Sequence, residues 1–363
     1  MRRITLQGIG TFGGFGTGVQ ALSQALEKGL VAPSIRAVPT GHGATELAAM
    51  RADIAPLEAL APARTLRRMD SFSKLALLGA RLALEDAGLE PTGNDGLGLV
   101  IATGYGATTT TTYALMDSIS RDGDACTSPI HFANSMHNTA AANISLQIGA
   151  TGPNLTISQF HLSVPSALLT ARRWLLEGRV ERVLFGAVDE LSDLMAYLWM
   201  RQRGEHWVGP MAPLATQRET AIPGEGAAFF LLSARDEAKP GYCTLQDVAT
   251  GRYSGALSCD GDLLVLGADG RQAFGATYVA TAQDARVACF TPHYGSMPSG
   301  PAFDLAAAAL MLRRGKAYAT PASEACDFAA TVLPKDALIA KEEISCLTFA
   351  ADRGYGRIRL GGL

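Results

Sequence analysis

Residues 96–103 (GLGLVIAT) run without a charged residue, and 180–190 (VERVLFGAVDE) and 224–234 (GEGAAFFLLSA) each enclose an uninterrupted apolar stretch, 183–188 and 226–232. A strand with no polar face has no side to show to water, so these runs require a sheet covered on both faces. Segments with helical spacing lie between and around them. Residues 71–87 place Phe72, Leu75, Leu78, Ala80, Leu82 and Leu84 on one stripe and stop at Gly88, which predicts an amphipathic helix. Further helices are expected over 19–30, 139–148 and 163–177, with a short strand at 154–158 and another at 3–9 running into a glycine-rich turn. This alternation predicts a layered α/β fold with a mostly parallel sheet.

From about residue 242 the pattern resembles a weaker copy of the first part. Strands are expected at 243–249, 286–290, 344–349 and 356–360, and a helix at 303–314. Residues 31–68, broken by Pro33, Pro39, Gly41, Gly43 and Pro56, read as irregular. No Pro- or Ser-rich linker separates the parts, so the expected organisation is 1–241 and 242–363, packed as one unit.

Composition narrows the function. Charged residues make up 18% of the 363 positions, below the usual share of about 25%. Charge is depleted from interface cores, so this low share points to surface hidden between subunits. The 31 basic and 34 acidic residues leave a net charge of −3, which gives no electrostatic footprint for nucleic acid. The most apolar run, Leu305 to Leu312, falls far short of the roughly 20 residues that a membrane span needs. The basic start lacks the apolar stretch of a secretory signal. The six cysteines, at 126, 243, 259, 289, 326 and 346, form no CxxC pair. Together these features predict a cytoplasmic protein with no structural zinc.

Gly8, Gly10 and Gly13 match GxGxxG. A dinucleotide site also needs a second strand ending in a carboxylate about 20 residues on. Here that region reads AVPTGHGATE, so no nucleotide cofactor is inferred. Asp189 and Glu190, after a buried strand, and Glu225, in G-E-G, are read as buried hydrogen-bonding groups. His131 and His137 are read as loop or interface residues, because no histidine or carboxylate cluster shows metal-ligand spacing.

Five segments in order resemble the β-ketoacyl synthases of the thiolase fold: 69–89, 96–106, 132–158, 182–192 and 223–233. The resemblance implies a five-layered α-β-α-β-α fold built from two βαβαβαββ halves, the second degenerate. It also implies a dimer through the edge strand Asn154, Leu155, Thr156, Ile157 and Ser158, with His131 and Phe132 nearby. Such enzymes place a cysteine at a strand-to-helix junction, where the helix N-terminus lowers its pKa and helps to hold an oxyanion. Two histidines from the second half assist decarboxylation of the malonyl unit.

This chain departs from that pattern at each point. The junction reads Thr156-Ile157-Ser158-Gln159-Phe160-His161-Leu162-Ser163, so His161 occupies the nucleophile position. The H-G-T motif that carries the first histidine is absent. The second motif corresponds to residues 293–300, where counting back from the helix selects Gly295 and a gap would select His293. The final glycine loop reads Phe349-Ala350-Ala351-Asp352-Arg353-Gly354-Tyr355. An acyl-imidazole is more labile than a thioester, so His161 is expected to be inactive. The resemblance is then greatest to a chain-length factor, the inactive partner of a ketosynthase in type II polyketide assembly, possibly of polyene type. It implies pairing with an active ketosynthase in a heterodimer or higher assembly, contact with acyl carrier protein through that partner, and no cofactor. Tunnel-lining candidates are Thr109, Thr112, Tyr113 and Met116, and Phe160 is a candidate plug for this subunit's own acyl pocket. Two other readings stay open: a stand-alone acyltransferase or decarboxylase using His161 or His293, and a scaffold subunit that shapes no tunnel.

Overall fold

The computed structural model describes residues 2–363 except 42, 204–208, 236, 256, 258–262 and 340–342, and except the side chains of residues 112, 126 and 203. Its strands are β1 (Thr5–Gly13), β2 (Ser34–Thr40), β3 (Gly43–Ala49), β4 (Gly98–Thr103), β5 (Asn154–Ser158), β6 (Arg182–Asp189), β7 (Gly226–Ser233), β8 (Cys243–Arg252), β9 (Leu263–Leu266), β10 (Arg286–Ala288), β11 (Ile344–Phe349) and β12 (Gly354–Gly361). The helices that build its layers are α1 (Val19–Lys28), α2 (Ser71–Ala87), α3 (Thr139–Ile148), α4 (Ser163–Leu176), α5 (Gly275–Ala282) and α6 (Gly300–Arg314).

The strands fall into two sets with one pattern. The first runs β5-β4-β6-β7-β1 across the sheet and the second runs β10-β9-β11-β12-β8. In each set the spatial order is third, second, fourth, fifth, first. In each, the first three strands in that order are parallel and the fifth is antiparallel to its neighbours. The sets meet edge to edge where β1 pairs with β8 at Thr5–Thr244 and Leu6–Cys243.

Alternation along each strand divides the layers. Leu99 and Ile101 of β4 face outward against Phe72, Leu77 and Ala80 of α2. Val100 and Ala102 face inward, toward Val164 and Leu168 of α4. In the second set Leu263 and Val265 point inward, toward the layer holding Phe303 and Leu305 of α6. Leu264 and Leu266 point outward, against Phe274 and Tyr278. The order is therefore α2 and α3, sheet, α4 and α6, sheet, α5. The layered α/β, thiolase-like architecture is the expected one, but the sheet is mixed and not mostly parallel, because β1, β7, β8 and β12 all pair antiparallel with their neighbours.

The second set is the shorter. In the first set α2 crosses from β1 to β4, but only residues 253–262 join β8 to β9. A crossover between parallel strands usually takes about a dozen residues or more and holds a helix, and no described residue between β8 and β9 is helical.

Two expectations need correction. Residues 31–68 are not wholly irregular, because β2 and β3 form a hairpin that buries Val38 and Leu47 against the helix Asp193–Arg203. Gly8 and Gly10 belong to no turn, because β1 runs straight through them. A Cβ on Gly10 would lie 2.1 Å from the Gly79 carbonyl oxygen, and one on Gly8 would lie 2.4 Å from that of Ala83. These glycines let α2 press onto the strand.

Candidate functional site: the strand-to-helix junction

β5 ends at Ser158, and Gln159–Leu162 turn the chain into α4. Ser163 fixes the turn: its hydroxyl accepts the Gln159 amide at 2.7 Å and lies 2.9 Å from the Thr103 carbonyl oxygen. Phe160 takes a left-handed φ of 44° at the apex. Pro165 falls in the first turn of α4, where its missing amide proton costs no helical bond.

His161 points toward the turn after β9. Arg271 Nη2 lies 2.5 Å from His161 Nε2. A guanidinium only donates, so Nε2 must be the acceptor and the ring proton must sit on Nδ1. Arg271 also donates through Nε to Asp269 Oδ2 at 2.6 Å, and Ser296 Oγ donates to the same oxygen at 2.5 Å. Phe274 closes the group, with the Arg271 guanidinium carbon 4.6 Å from its centroid and the His161 ring 5.3 Å away.

The electrostatics follow from this packing. Burial, and then the Arg271 charge, push the His161 pKa down to about 4. Burial works against the Arg271 charge, but the Asp269 carboxylate leaves its pKa raised. Burial also works against the Asp269 carboxylate, and Arg271 outweighs it, so that pKa is lowered. The cluster is thus a neutral imidazole bonded to a paired cation and anion. The void beside it measures about 10 Å³ and is lined also by Tyr294, Gly295 and Met297. That volume is at the threshold for one water molecule.

A second buried acid lies beneath. The Tyr294 hydroxyl donates to Asp304 of α6, and burial raises the Asp304 pKa to about 7. Asp189, at the end of β6, accepts from Thr103 Oγ1 and the Gly104 and Tyr105 amides through one oxygen, and from the Ser299 amide through the other. It ties the first set of strands to the start of α6, in the buried hydrogen-bonding role read from the sequence. Glu225 does likewise, accepting the Leu191 and Ala52 amides and an Arg51 contact.

The family description "Beta-ketoacyl synthase, N-terminal domain" matches residues 7–238. The chain belongs to the β-ketoacyl synthase family. Among curated relatives, 3-oxoacyl-(acyl-carrier-protein) synthase 2 of Vibrio harveyi is 24% identical over 249 residues, which cover 66% of this chain and 59% of that protein. The ishigamide ketosynthase/chain length factor superposes with a TM-score of 0.79 at 16% identity, covering 100% of this chain and 99% of the other. A type II PKS acyl-carrier protein in complex with its ketosynthase bound to the hexaketide superposes at 0.77 with 14% identity, covering 100% of both chains. At such identities the structural likeness establishes the fold. This ketosynthase-family chain spans about three-fifths of the length of the curated relative it matches.

Set against that family, the structure brings together residues that the sequence kept apart. Asp269-Gly270-Arg271 is the triplet that faces His161 where an H-G-T triplet was sought. Gly270 takes a left-handed φ of 78° four residues past the end of β9 at Leu266. His293 is not at the site. Its Nδ1 faces the Phe290 carbonyl and its Nε2 the Ala25 carbonyl, so it is fully buried against α1. Burial lowers its pKa despite those carbonyls. The reading that used His293 as a catalytic group is therefore set aside.

Phe160 is 65% exposed and does not line the void beside His161. Thr109, Tyr113 and Met116 lie on or beside a π-helix, Thr110–Met116. The Thr109 amide donates to Glu190 Oε1 at 2.6 Å. Tyr113 lines a polar cavity of about 250 Å³ with Arg36, Glu190 and Asp193. Met116 is 55% exposed, and the Thr112 side chain lies outside the described residues. Phe132 is 59% exposed on the short helix Pro129–Asn134. His131 Nδ1 lies 3.0 Å from the Ala114 carbonyl and so fastens that helix to the π-helix. β5 pairs with β4 alone, and its other edge has no strand beside it among the described residues. No described helix is long and apolar enough to cross a membrane.

Proposed function

We propose that this chain is a non-catalytic ketosynthase-like subunit, a chain-length factor. It pairs with an active β-ketoacyl synthase and shapes that partner's acyl tunnel while malonyl units are condensed on acyl carrier protein. In this reading, residues 1–241 and 242–363 are the two ketosynthase-like halves.

The observation that carries the reading is the contact of Arg271 with His161. A group that carries an acyl chain needs a free lone pair and space for the acyl group. The His161 lone pair is spent on a guanidinium, the ring is a weak base, and the void beside it is about 10 Å³. An entering thioester would first have to displace the Arg271 guanidinium from Nε2. This counts against a stand-alone enzyme using His161.

The surface supports pairing. An open, uncharged edge strand is a ready template for another sheet, and the β5 sequence NLTIS has no charge. Leu155, Ile130, Phe132, Tyr113 and Met116 expose apolar surface on β5, the short helix and the π-helix. Asn154 to Ser158, with His131 and Phe132, would form the contact, and Thr109, Thr112, Tyr113 and Met116 would reach the tunnel.

The purified chain alone should show no acyl adduct by mass spectrometry and no condensation. Co-expression with a ketosynthase that keeps its cysteine and both histidines should yield a complex that condenses. Condensation by the single chain would refute the reading. Unchanged product length after resizing Met116 in the assembled complex would favour a scaffold role.

A further inference from the structure

A second feature lies at the end of α4 remote from His161. The helix spans fourteen residues, so its ends are about 21 Å apart. At the C-terminal end, Arg172 and Leu176 meet the starts of β1 and β8 around a groove of about 280 Å³. Arg2, Arg3 and Arg172 line it, Ile4, Leu176 and Leu245 give it an apolar floor, and no carboxylate is among the lining residues.

The cations there are under-used. Arg172 donates to the Gln246 carbonyl, and its nearest carboxylate, Asp247, is 3.8 Å away and already 3.2 Å from Arg357. The Arg172 Nε–H is buried without an acceptor. Arg3 reaches only the Gly362 carbonyl, at 3.5 Å. Arg2 lies over Gly178, where a Cβ would come within 3.0 Å of its guanidinium. The last carbonyls of α4 contribute about half a negative charge, less than any one of the three arginines supplies in the opposite sense.

We propose that this groove binds a phosphate-bearing small molecule, with its phosphate on Arg2, Arg3 and Arg172 and its less polar remainder on Ile4, Leu176 and Leu245. Three forked donors suit a dianion with three free oxygens better than a carboxylate with two oxygens and one charge.

Isothermal titration of the full chain at about 50 mM salt, where charge pairs are only partly screened, tests it. Sodium pyrophosphate and ADP are the probes. Each should bind saturably at one site, and ADP should bind tighter because its nucleoside covers the floor. Arg172→Gln and Arg3→Gln should each weaken both probes about tenfold or more. Arg64→Gln, the same charge change on an exposed helix elsewhere, should leave them unchanged. Absent saturable binding, wild-type affinity in both groove variants, or an equal loss in Arg64→Gln would overturn the proposal. ADP no tighter than pyrophosphate would overturn the ester assignment. Should Arg172→Gln not fold, the exposed Arg3→Gln decides.

Discussion

Arg271 and His161 are 110 positions apart in the chain and 2.5 Å apart in the fold. One stands on the turn after β9 and the other on the turn before α4, so the contact fastens the two sets of strands together at the strand-to-helix junction. Asp269 completes the unit. Removing one member of a buried ion pair leaves the other charged and unpaired, which costs about 3–5 kcal/mol. Arg271→Met should therefore destabilise the chain by about that amount in urea titration. Asp269→Asn should cost at least as much, because it leaves the Arg271 guanidinium, which cannot lose its proton, buried without a counter-charge. The double variant should lose less than the sum of the two. A loss under about 1 kcal/mol for Arg271→Met would show that the pair contributes little.

The same cluster makes a pH prediction with two opposed parts. His161 has a folded pKa of about 4 against an ordinary 6.5. Between those values the unfolded chain binds more protons, so this group adds stability as pH rises and withdraws it as pH falls. Asp304 has a folded pKa of about 7 against an ordinary 3.8. There the folded chain binds more protons, and stability is withdrawn as pH rises. The two nearly cancel in the native chain. His161→Gln should expose the Asp304 effect, with urea midpoints falling between about pH 4.5 and 6.5, and Asp304→Asn should expose the His161 effect, with midpoints rising. Each slope is bounded by about 1.4 kcal/mol per pH unit. Parallel slopes in the two variants would contradict the assignment.

How much of this was legible in the sequence depended on how local each signal was. The continuous apolar runs located β4, β6 and β7, and α3 and β11 begin and end where the spacing placed them. The β2–β3 hairpin was missed because it turns only Val38 and Leu47 into a core supplied by a distant helix. β9, four residues long, is too short to show a period. At the site, His161 was legible at the strand-to-helix junction. Its partners were not, because Asp269 and Arg271 acquire meaning only when β9 delivers them opposite it. The outward turn of Phe160 was not legible, because residue type says nothing of a left-handed backbone.

The glycines of β1 were read as part of a turn, whereas the fold uses them for close packing. Their role gives a third prediction. A methyl group at Gly10 would sit 2.1 Å from the Gly79 oxygen, and the nearest atoms are helix backbone that cannot swing aside. Gly10→Ala should cost about 3 kcal/mol or more, read as a lowered urea midpoint. Gly18→Ala, with nothing within 4 Å of the added carbon, pays only for its left-handed φ of 89°. If Gly10→Ala proved no worse than Gly18→Ala, the close approach of α2 to β1 would be in doubt.

The open edge of β5 yields the last prediction. Leu155 is 39% exposed at an edge with no neighbouring strand among the described residues. Lysine on an edge strand is a device that natural sheets use to refuse partners, because its charge would have to be desolvated between the chains. Leu155→Lys should leave the chain folded, since the residue has solvent beside it already, and its urea midpoint should shift by no more than about 0.5 kcal/mol. Co-purification with the ketosynthase should be lost or fall by at least about tenfold. Leu146→Lys, on α3 and 79% exposed, is the matching control and should pair normally. Equal pairing by both variants would place the contact elsewhere, and with it the tunnel-facing roles of Tyr113 and Met116 would fall.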